Sequence, residues 1–301
     1  MPCYKPLSAY HGPGGIKFKK ADSFGIPVEL PCGRCIGCRL EKAKEWALRC
    51  HHEASLHEDN SFVTLTYDNE HLPEHNSLCK LDFQKFIRSL RKRTGKKIRY
   101  FMCGEYGEAT EQNGWIARPH YHALLFGFDF IDKYTVQYRN GNPVYRSDFL
   151  EKVWNKGASE LGAVTFQSAG YVARYTLKKQ NGEYAEREYA IPDENGEITN
   201  DTKVYPYTAC SLKPGIGYDW YKKFKADLFP HDYAIMPDGR ETSVPTYYRT
   251  LLQREDPEVY EQLRKQRVEK ARTNPDNEPE RLAVREAVRH SKIKRLKRDK
   301  I

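Results

Sequence analysis

The sequence contains no apolar run approaching the roughly 20 residues that a membrane-spanning helix needs, and Met1-Pro2-Cys3-Tyr4 opens no signal-peptide hydrophobic stretch. The chain is therefore expected in the cytosol, with no membrane partner. Apolar residues are scarce throughout, at 39% of 301, which predicts a modest core with extended surface segments. No internal repeat recurs, which excludes solenoids and propellers. No His-Glu-x-x-His helix or other complete ligand set is present, so a zinc hydrolase is disfavoured. Net charge is also nearly missing from most of the chain. Of the formal +9, residues 281–301 supply +7, through Arg281, Arg285, Arg289, Lys292, Lys294, Arg295, Lys297, Arg298 and Lys300 against Glu286 and Asp299. The charge thus argues for a tail that attracts nucleic acid and says little about a site in the folded part.

Aromatics and cysteines are the abundant features. The 21 Tyr and 13 Phe suit stacking on bases as well as core packing. Eight cysteines in a reducing compartment are expected as thiols or metal ligands rather than disulfides. Cys32-x-x-Cys35-x-x-Cys38 before a helix has the spacing of a structural zinc site. Cys3 and Cys50 are both candidates for a fourth ligand, although Cys50 falls on an apolar helical stripe where a buried cysteine is the plain expectation.

Periodicity divides the chain. Residues 1–31, rich in Gly, Pro and Lys, read as an extended arm. Leu40, Ala43, Ala47, Cys50 and Ala54 form a helical stripe from Arg39 to about Leu56. Residues 62–67 are β-branched and aromatic, as in a strand. Asp82 is expected to cap a helix faced by Phe83, Phe86, Ile87 and Leu90 and ended by Gly95. Strands follow at 98–105 and 119–128, then a short helix with Phe149, Leu150, Val153 and Trp154 ended by Gly157, then a fourth strand at 162–167. The order β-α-β-β-α-β predicts an α+β, ferredoxin-like or RRM-like antiparallel sheet with helices on one face and its first and third strands central. Turn signals at Asn181-Gly182, Pro192-Asp193 and Asn195-Gly196 suggest an exposed hairpin or insertion over 181–206, residues 205–229 are expected to pack back on the core, and from about Val244 the chain reads as charged helix interrupted at Thr273-Asn274-Pro275-Asp276. The expected organisation is residues 1–60 as arm, cysteine cluster and helix, 61–180 as the core, 181–250 as insertion and aromatic-rich segment, and 251–301 as a basic helical extension.

Two short patterns carry chemistry. His120 and His122 are two apart on a strand, so both rings fall on one face. Glu105 in the adjoining strand completes a two-nitrogen, one-oxygen set with positions left open, suited to Mg²⁺ or Mn²⁺ as a Lewis acid; Glu108 competes for the third place. Tyr171 and Tyr175 are four apart on a helix, stacking two phenols on one face with Lys178 a turn beyond. A phenol with a pKa near about 10 is a poor nucleophile at neutral pH without electrostatic help. Facing a metal, two such phenols predict phosphodiester chemistry in two successive transfers. Arg118, Arg174 and Lys179 beside these patterns, and Lys294, Arg295, Lys297 and Arg298 in the tail, are candidate DNA contacts.

In order, Phe62-Val63-Thr64-Leu65-Thr66-Tyr67, Arg118-Pro119-His120-Tyr121-His122 and Tyr171-Val172-Ala173-Arg174-Tyr175-Thr176-Leu177-Lys178-Lys179 resemble the three motifs of the HUH endonuclease superfamily. They look most like those of the two-tyrosine rolling-circle replication initiators of the Microviridae, of gokushovirus type. The resemblance spans roughly residues 30–220 and includes Pro31-Cys32-Gly33-Arg34-Cys35-Ile36-Gly37-Cys38-Arg39 and Lys213-Pro214-Gly215-Ile216-Gly217. Tyr121 departs from it mildly, standing where many members have a bulky apolar residue and pointing away from the histidine face. The resemblance implies the HUH endonuclease fold in the host bacterial cytoplasm. It further implies a metal-dependent nick at single-stranded or supercoiled origin DNA, a 5′-phosphotyrosine link, a free 3′-OH for host polymerase working with host helicase, and a second cut that closes the displaced strand.

A relaxase or single-strand transposase of the same superfamily is disfavoured by the paired tyrosines and the cysteine block. A non-catalytic single-strand-binding module would need neither His-x-His nor Tyr-x-x-x-Tyr.

Overall fold

Where residues 1–31 were expected to form an extended arm, residues 7–30 form a small sheet. In a computed structural model, which describes residues 3–107, 117–174, 189–193, 195 and 197–295, strand β1 (Leu7–Gly12) is flanked by antiparallel β2 (Gly15–Lys17) and β3 (Ile26–Leu30). Gly14 and Gly15, both at positive φ, reverse the chain between β1 and β2. The side chains of this sheet are mostly exposed or half-buried, so its strands lack the alternation that would have announced them.

This sheet belongs to the first of two units, Met1–Lys42 with Arg249–Lys300; the second is Ala43–Tyr248. Helix α1 (Ile36–Ala54) begins in one and ends in the other. The second unit contains strand β4 (Asn60–Thr66), helix α2 (Lys80–Thr94), and strands β5 (Arg99–Tyr106), β6 (Pro119–Phe126), β7 (Tyr134–Arg139) and β8 (Asn142–Arg146). Helix α3 (Asp148–Trp154), strand β9 (Ser159–Gly162) and helix α4 (Phe166–Arg174) follow. After them come the small pair β10 (Ala190–Pro192) and β11 (Ile198–Thr202), then β12 (Tyr207–Cys210), helix α5 (Tyr218–Phe224) and the pair β13 (Tyr233–Ile235) and β14 (Glu241–Ser243). Helices α6 (Thr246–Glu255), α7 (Pro257–Arg272) and α8 (Pro279–Arg295) end the described chain.

Seven strands form one antiparallel sheet in the order β12-β5-β6-β4-β9-β8-β7. Its inner four are the strands expected from sequence, with β4 and β6 central; β12 and the β7–β8 hairpin widen it. That hairpin was not anticipated, although its Asn140-Gly141 turn, both residues at positive φ, is a strong short-range signal. The fourth strand lies earlier than expected: residues 163–165 leave it and Phe166 already starts α4. Asp82 does not cap α2 either. Cys79 takes that place, and Asp82, in the first turn, accepts a hydrogen bond from Tyr67 Oη at 2.8 Å. Gly95 ends α2 in the left-handed conformation, as expected.

One face of the sheet is the apolar core. Val63, Leu65, Met102, Ala123, Leu125 and Leu161 pack with Phe83, Phe86, Ile87 and Leu90 of α2 and Leu150, Val153 and Trp154 of α3. The other face is not open, so the expectation of helices on one side only is corrected. Trp46 of α1 stacks on Phe101 with ring centroids 4.6 Å apart, and α4 brings Tyr171 edge-on to Phe62. Below Trp46, buried Glu53 pairs with Arg99 and accepts from the Gly217 amide at 2.7 Å. Arg99 also donates to the Pro214 and Gly215 carbonyls, and Arg49, between the rings of Trp46 and Tyr247, donates to the Ile216 carbonyl. These charges fasten residues 214–217 by bonding the carbonyls of Pro214, Gly215 and Ile216 and the amide of Gly217.

Candidate active site

The antiparallel register decides which side chains meet. Glu105 on β5 lies opposite His120 on β6, which lies opposite Thr66 on β4; one step along, Cys103, His122, Thr64 and Glu160 form the parallel row. Both imidazoles therefore share the face that carries Glu105. His120 Nε2 and His122 Nε2 each lie 3.2 Å from Glu105 Oε1, with the two rings nearly perpendicular.

The far nitrogen of each ring is engaged elsewhere. His120 Nδ1 lies 3.2 Å from the Arg118 carbonyl oxygen, which can only accept, and His122 Nδ1 lies 2.9 Å from Thr64 Oγ1. The Arg118 carbonyl thus places the His120 hydrogen on Nδ1 and turns its Nε2 lone pair toward Glu105, while the Thr64 hydroxyl, able to donate or accept, allows His122 Nε2 either to present a lone pair or to donate. A lone pair facing a carboxylate oxygen is satisfied by a cation between them, either a proton on the ring or a metal. Burial pushes the His122 imidazole below its ordinary pKa, which opposes the proton. Burial pushes the Glu105 carboxyl up, and the neighbouring His120 and His122 outweigh it, bringing it down to about 2. The three residues thus fit a divalent metal with a charged carboxylate and neutral rings, their ligand atoms all within 4.8 Å of one another.

Tyr171 reaches this set from α4. Thr165 and Ser168 cap that helix reciprocally: the Ser168 amide donates to Thr165 Oγ1 at 3.0 Å and the Thr165 amide to Ser168 Oγ at 2.8 Å. Ala169, Val172 and Ala173 form the buried stripe, which leaves half-buried Tyr171 beside it. Its Oη lies 3.4 Å from His122 Nε2, and its ring meets His122 edge-on. Phe62, stacked parallel to His122 at 5.7 Å, backs the imidazole from below. Phe62 and Thr64 were quoted from sequence only as part of the motif over residues 62–67, with no role of their own; pairing β4 against β6 in the register of Thr64 with His122 assigns them their places.

The other candidates divide. Arg174 stays near the site, its guanidinium 6.0 Å from the centre of the Tyr171 ring. Arg118 is directed at the loop after β4, bonded to the Tyr67 carbonyl and to Asn69. Lys294 and Arg295 are in the last turn of α8. Glu108, Tyr175, Lys178, Lys179, Lys297 and Arg298 lie outside the described residues. Cys3, Cys32, Cys35 and Cys38 converge, a set that suits structural zinc, whereas Cys50 is buried outside that cluster, in the other unit.

Comparison with known proteins fits this arrangement. The family described as Replication-associated protein ORF2/G2P matches residues 60–180, from β4 to beyond Tyr171. The replication-associated protein VP4 of Bdellovibrio phage phiMH2K is 35% identical over 274 residues, covering 86% of this chain and 80% of that protein. The chain belongs to this phage replication-associated family. Two further relatives extend the likeness: replication-associated protein ORF2 of Spiroplasma virus 4, 27% identical over 85% of this chain and 81% of its own length, and ORF4 of Chlamydia phage 1, 27% identical over 82% of this chain and 61% of its own. No solved structure matches the chain. The family match includes the histidine strand β6 and Tyr171. Among the described residues no helix is long and apolar enough to cross a membrane.

Proposed function

We propose that this chain is the nicking and joining enzyme that starts and ends rolling-circle replication of a circular phage genome. The observation that carries this reading is the approach of Tyr171 Oη to His122 Nε2 on a face where Glu105 and His120 converge. The sheet supports it too: the inner strand order β5-β6-β4-β9 is that of a ferredoxin-like core of HUH type.

Glu105, His120 and His122 would hold Mg²⁺ or Mn²⁺, which when bound polarises a non-bridging oxygen of the scissile phosphate. Thr64 and the Arg118 carbonyl keep both rings turned so that Nε2 faces inward. Tyr171 Oη attacks phosphorus and gives its proton to solvent, the bond from phosphorus to the 3′-oxygen breaks, and that oxygen takes a proton from solvent to leave as a hydroxyl. The 5′-phosphate then stays esterified to the phenol, so the energy of the broken bond is retained and no nucleotide is consumed in joining. Tyr175, with Lys178 beside it in sequence, is the second nucleophile; it cuts the regenerated origin, and the freed 3′-OH closes the displaced strand on the first phosphotyrosine. Origin DNA is the partner, and host polymerase and helicase extend and unwind from the 3′ end. Arg174, Lys179 and the basic tail contribute phosphate contacts.

Incubating the protein with an origin-containing single strand and Mg²⁺ or Mn²⁺ should yield an adduct that survives a denaturing gel. The adduct should vanish in the Tyr171→Phe/Tyr175→Phe double variant and in His122→Ala. Metal-dependent cutting without an adduct would overturn the covalent route.

A further inference from the structure

The cysteine cluster takes no part in this chemistry, yet it is the most closely gathered set of ligands in its unit. Cys3, Cys32, Cys35 and Cys38 bring their sulfurs within 4.8 Å of one another, Cys35 Sγ lying 4.0 Å from Cys3 Sγ. All four are free thiols. Four thiolates around one zinc at about 2.3 Å are separated by about 3.8 Å, close to this spacing, whereas an iron–sulfur cluster sets several irons between its cysteines and holds them farther apart.

Backbone amides are turned onto the sulfurs. The Tyr4 amide donates to Cys35 Sγ, the Cys32 amide to Cys3 Sγ and the Cys35 amide to Cys32 Sγ, each at 3.3 Å. Such donors favour the thiolate over the thiol. Gly33, at φ 71° with open space where a Cβ would stand, makes the tight turn between Cys32 and Cys35. The start of α1 at Ile36 adds the positive end of a helix to Cys35 and Cys38.

The residues next to Cys3 point to a use. Tyr4, whose amide serves Cys35, places its ring 5.9 Å from the Arg285 guanidinium, and Lys5 Nζ lies 3.5 Å from Glu286 Oε2. Arg285 and Glu286 belong to α8, whose last turn carries Lys292, Lys294 and Arg295. An exposed ion pair and a single cation–π contact are individually weak. They can seat a helix only if residues 3–5 are already held.

We propose that Cys3, Cys32, Cys35 and Cys38 bind one zinc ion and that this knot, by fixing Tyr4 and Lys5, seats the basic helix α8. Each thiol gives up its proton to solvent on binding, with no change of oxidation state. The use of α8 for phosphate contacts rests on the proposed DNA-processing function; the zinc and the seating do not.

Metal analysis and Co²⁺ exchange on the full-length chain, in the His122→Ala background so that the second ligand set does not contribute, test the first half. About one equivalent of zinc is expected, and the cobalt form should show the thiolate charge-transfer band and the strong visible bands of a tetrahedral S₄ site. Cys3→Ser should lose the metal and Cys50→Ser should keep it. Less than half an equivalent after zinc reconstitution, a cobalt spectrum without the thiolate band, or dependence on Cys50 instead of Cys3 overturns the site, and the cobalt spectrum needs no variant at any cysteine. Hydrogen exchange tests the second half: stripping zinc should raise amide exchange across 279–295, and Tyr4→Ala should do the same with zinc retained. Unchanged exchange on stripping removes the seating role. A protein that binds zinc and protects α8 but binds no DNA would leave this proposal standing and remove the replication reading instead.

Discussion

Two buried histidine sites in the same unit look alike at first and differ in their surroundings. His52 on α1 stacks on Trp220 with centroids 3.5 Å apart and shares a 3.0 Å hydrogen bond with Tyr248 Oη. His122 stacks on Phe62 and has Tyr171 Oη at 3.4 Å. Burial lowers both pKa values, with neighbouring His51 helping to bring His52 down to about 3. The difference is the company kept by the nearest carboxylate. Glu53, adjacent to His52, is committed to Arg99 and the Gly217 amide, so its charge is already balanced. Glu105 shares its oxygen with two imidazoles whose Nδ1 atoms are occupied. An aromatic cradle and a tyrosine hydroxyl are therefore common to both sites; a carboxylate oxygen shared with two imidazole nitrogens is found at His122 and not at His52.

The largest effect should separate the two histidines outright. His122→Ala should cut adduct formation on the order of 10³-fold, the scale of removing support for transition-state charge, while His52→Ala should leave adduct per folded molecule unchanged and lower the unfolding midpoint. Equal loss in both, measured on denaturing gels against the folded fraction, would erase the distinction. Next, Glu53→Ala should destabilise by about 3–5 kcal/mol in chemical denaturation, because it strands buried Arg99. A loss under about 1 kcal/mol would mean the pair is balanced by water instead.

Smaller still, Thr64→Val should reduce metal affinity about 10–100-fold with little change in folding, the range for losing the group that orients a ligating imidazole. Calorimetric titration with Mn²⁺ reads this directly, and unchanged affinity would show that Thr64 does not set the ring. The smallest effect concerns acid. His52 is neutral when folded down to about pH 3 but takes a proton when unfolded below about pH 6.5, so the unfolded state binds more protons in that window and stability falls as pH falls. At pH 5.5 the loss is about 1.3 kcal/mol relative to pH 7, and His52→Asn should flatten the slope above pH 5. An identical slope in the variant would assign it to other groups.

The legible parts of the molecule were those set by short spacing. Two histidines two apart on an apolar strand had to share a face, and the stripe of Phe83, Phe86, Ile87 and Leu90 had to bury together. The helix break near Thr273 was readable because Asn274 and Pro275 punctuate it. The N-terminal sheet and the helix cover over the histidine face were not readable, since mostly exposed strands show no alternation and α1 reaches Phe101 through a single tryptophan.

The sequence by itself determined that His120 and His122 share one face of a strand, that Tyr171 sits on a helix, that three cysteines gather at the start of α1 and that positive charge gathers in the tail. Tertiary structure alone decided that Glu105 joins the histidines, through the register of β5 on β6, and that Cys3 rather than Cys50 completes the cysteine set. The reason is range. Side-chain period is a local property of a strand or helix, whereas strand register and the return of a chain end 29 residues away from Cys32 are set by the summed packing of segments that no short spacing encodes.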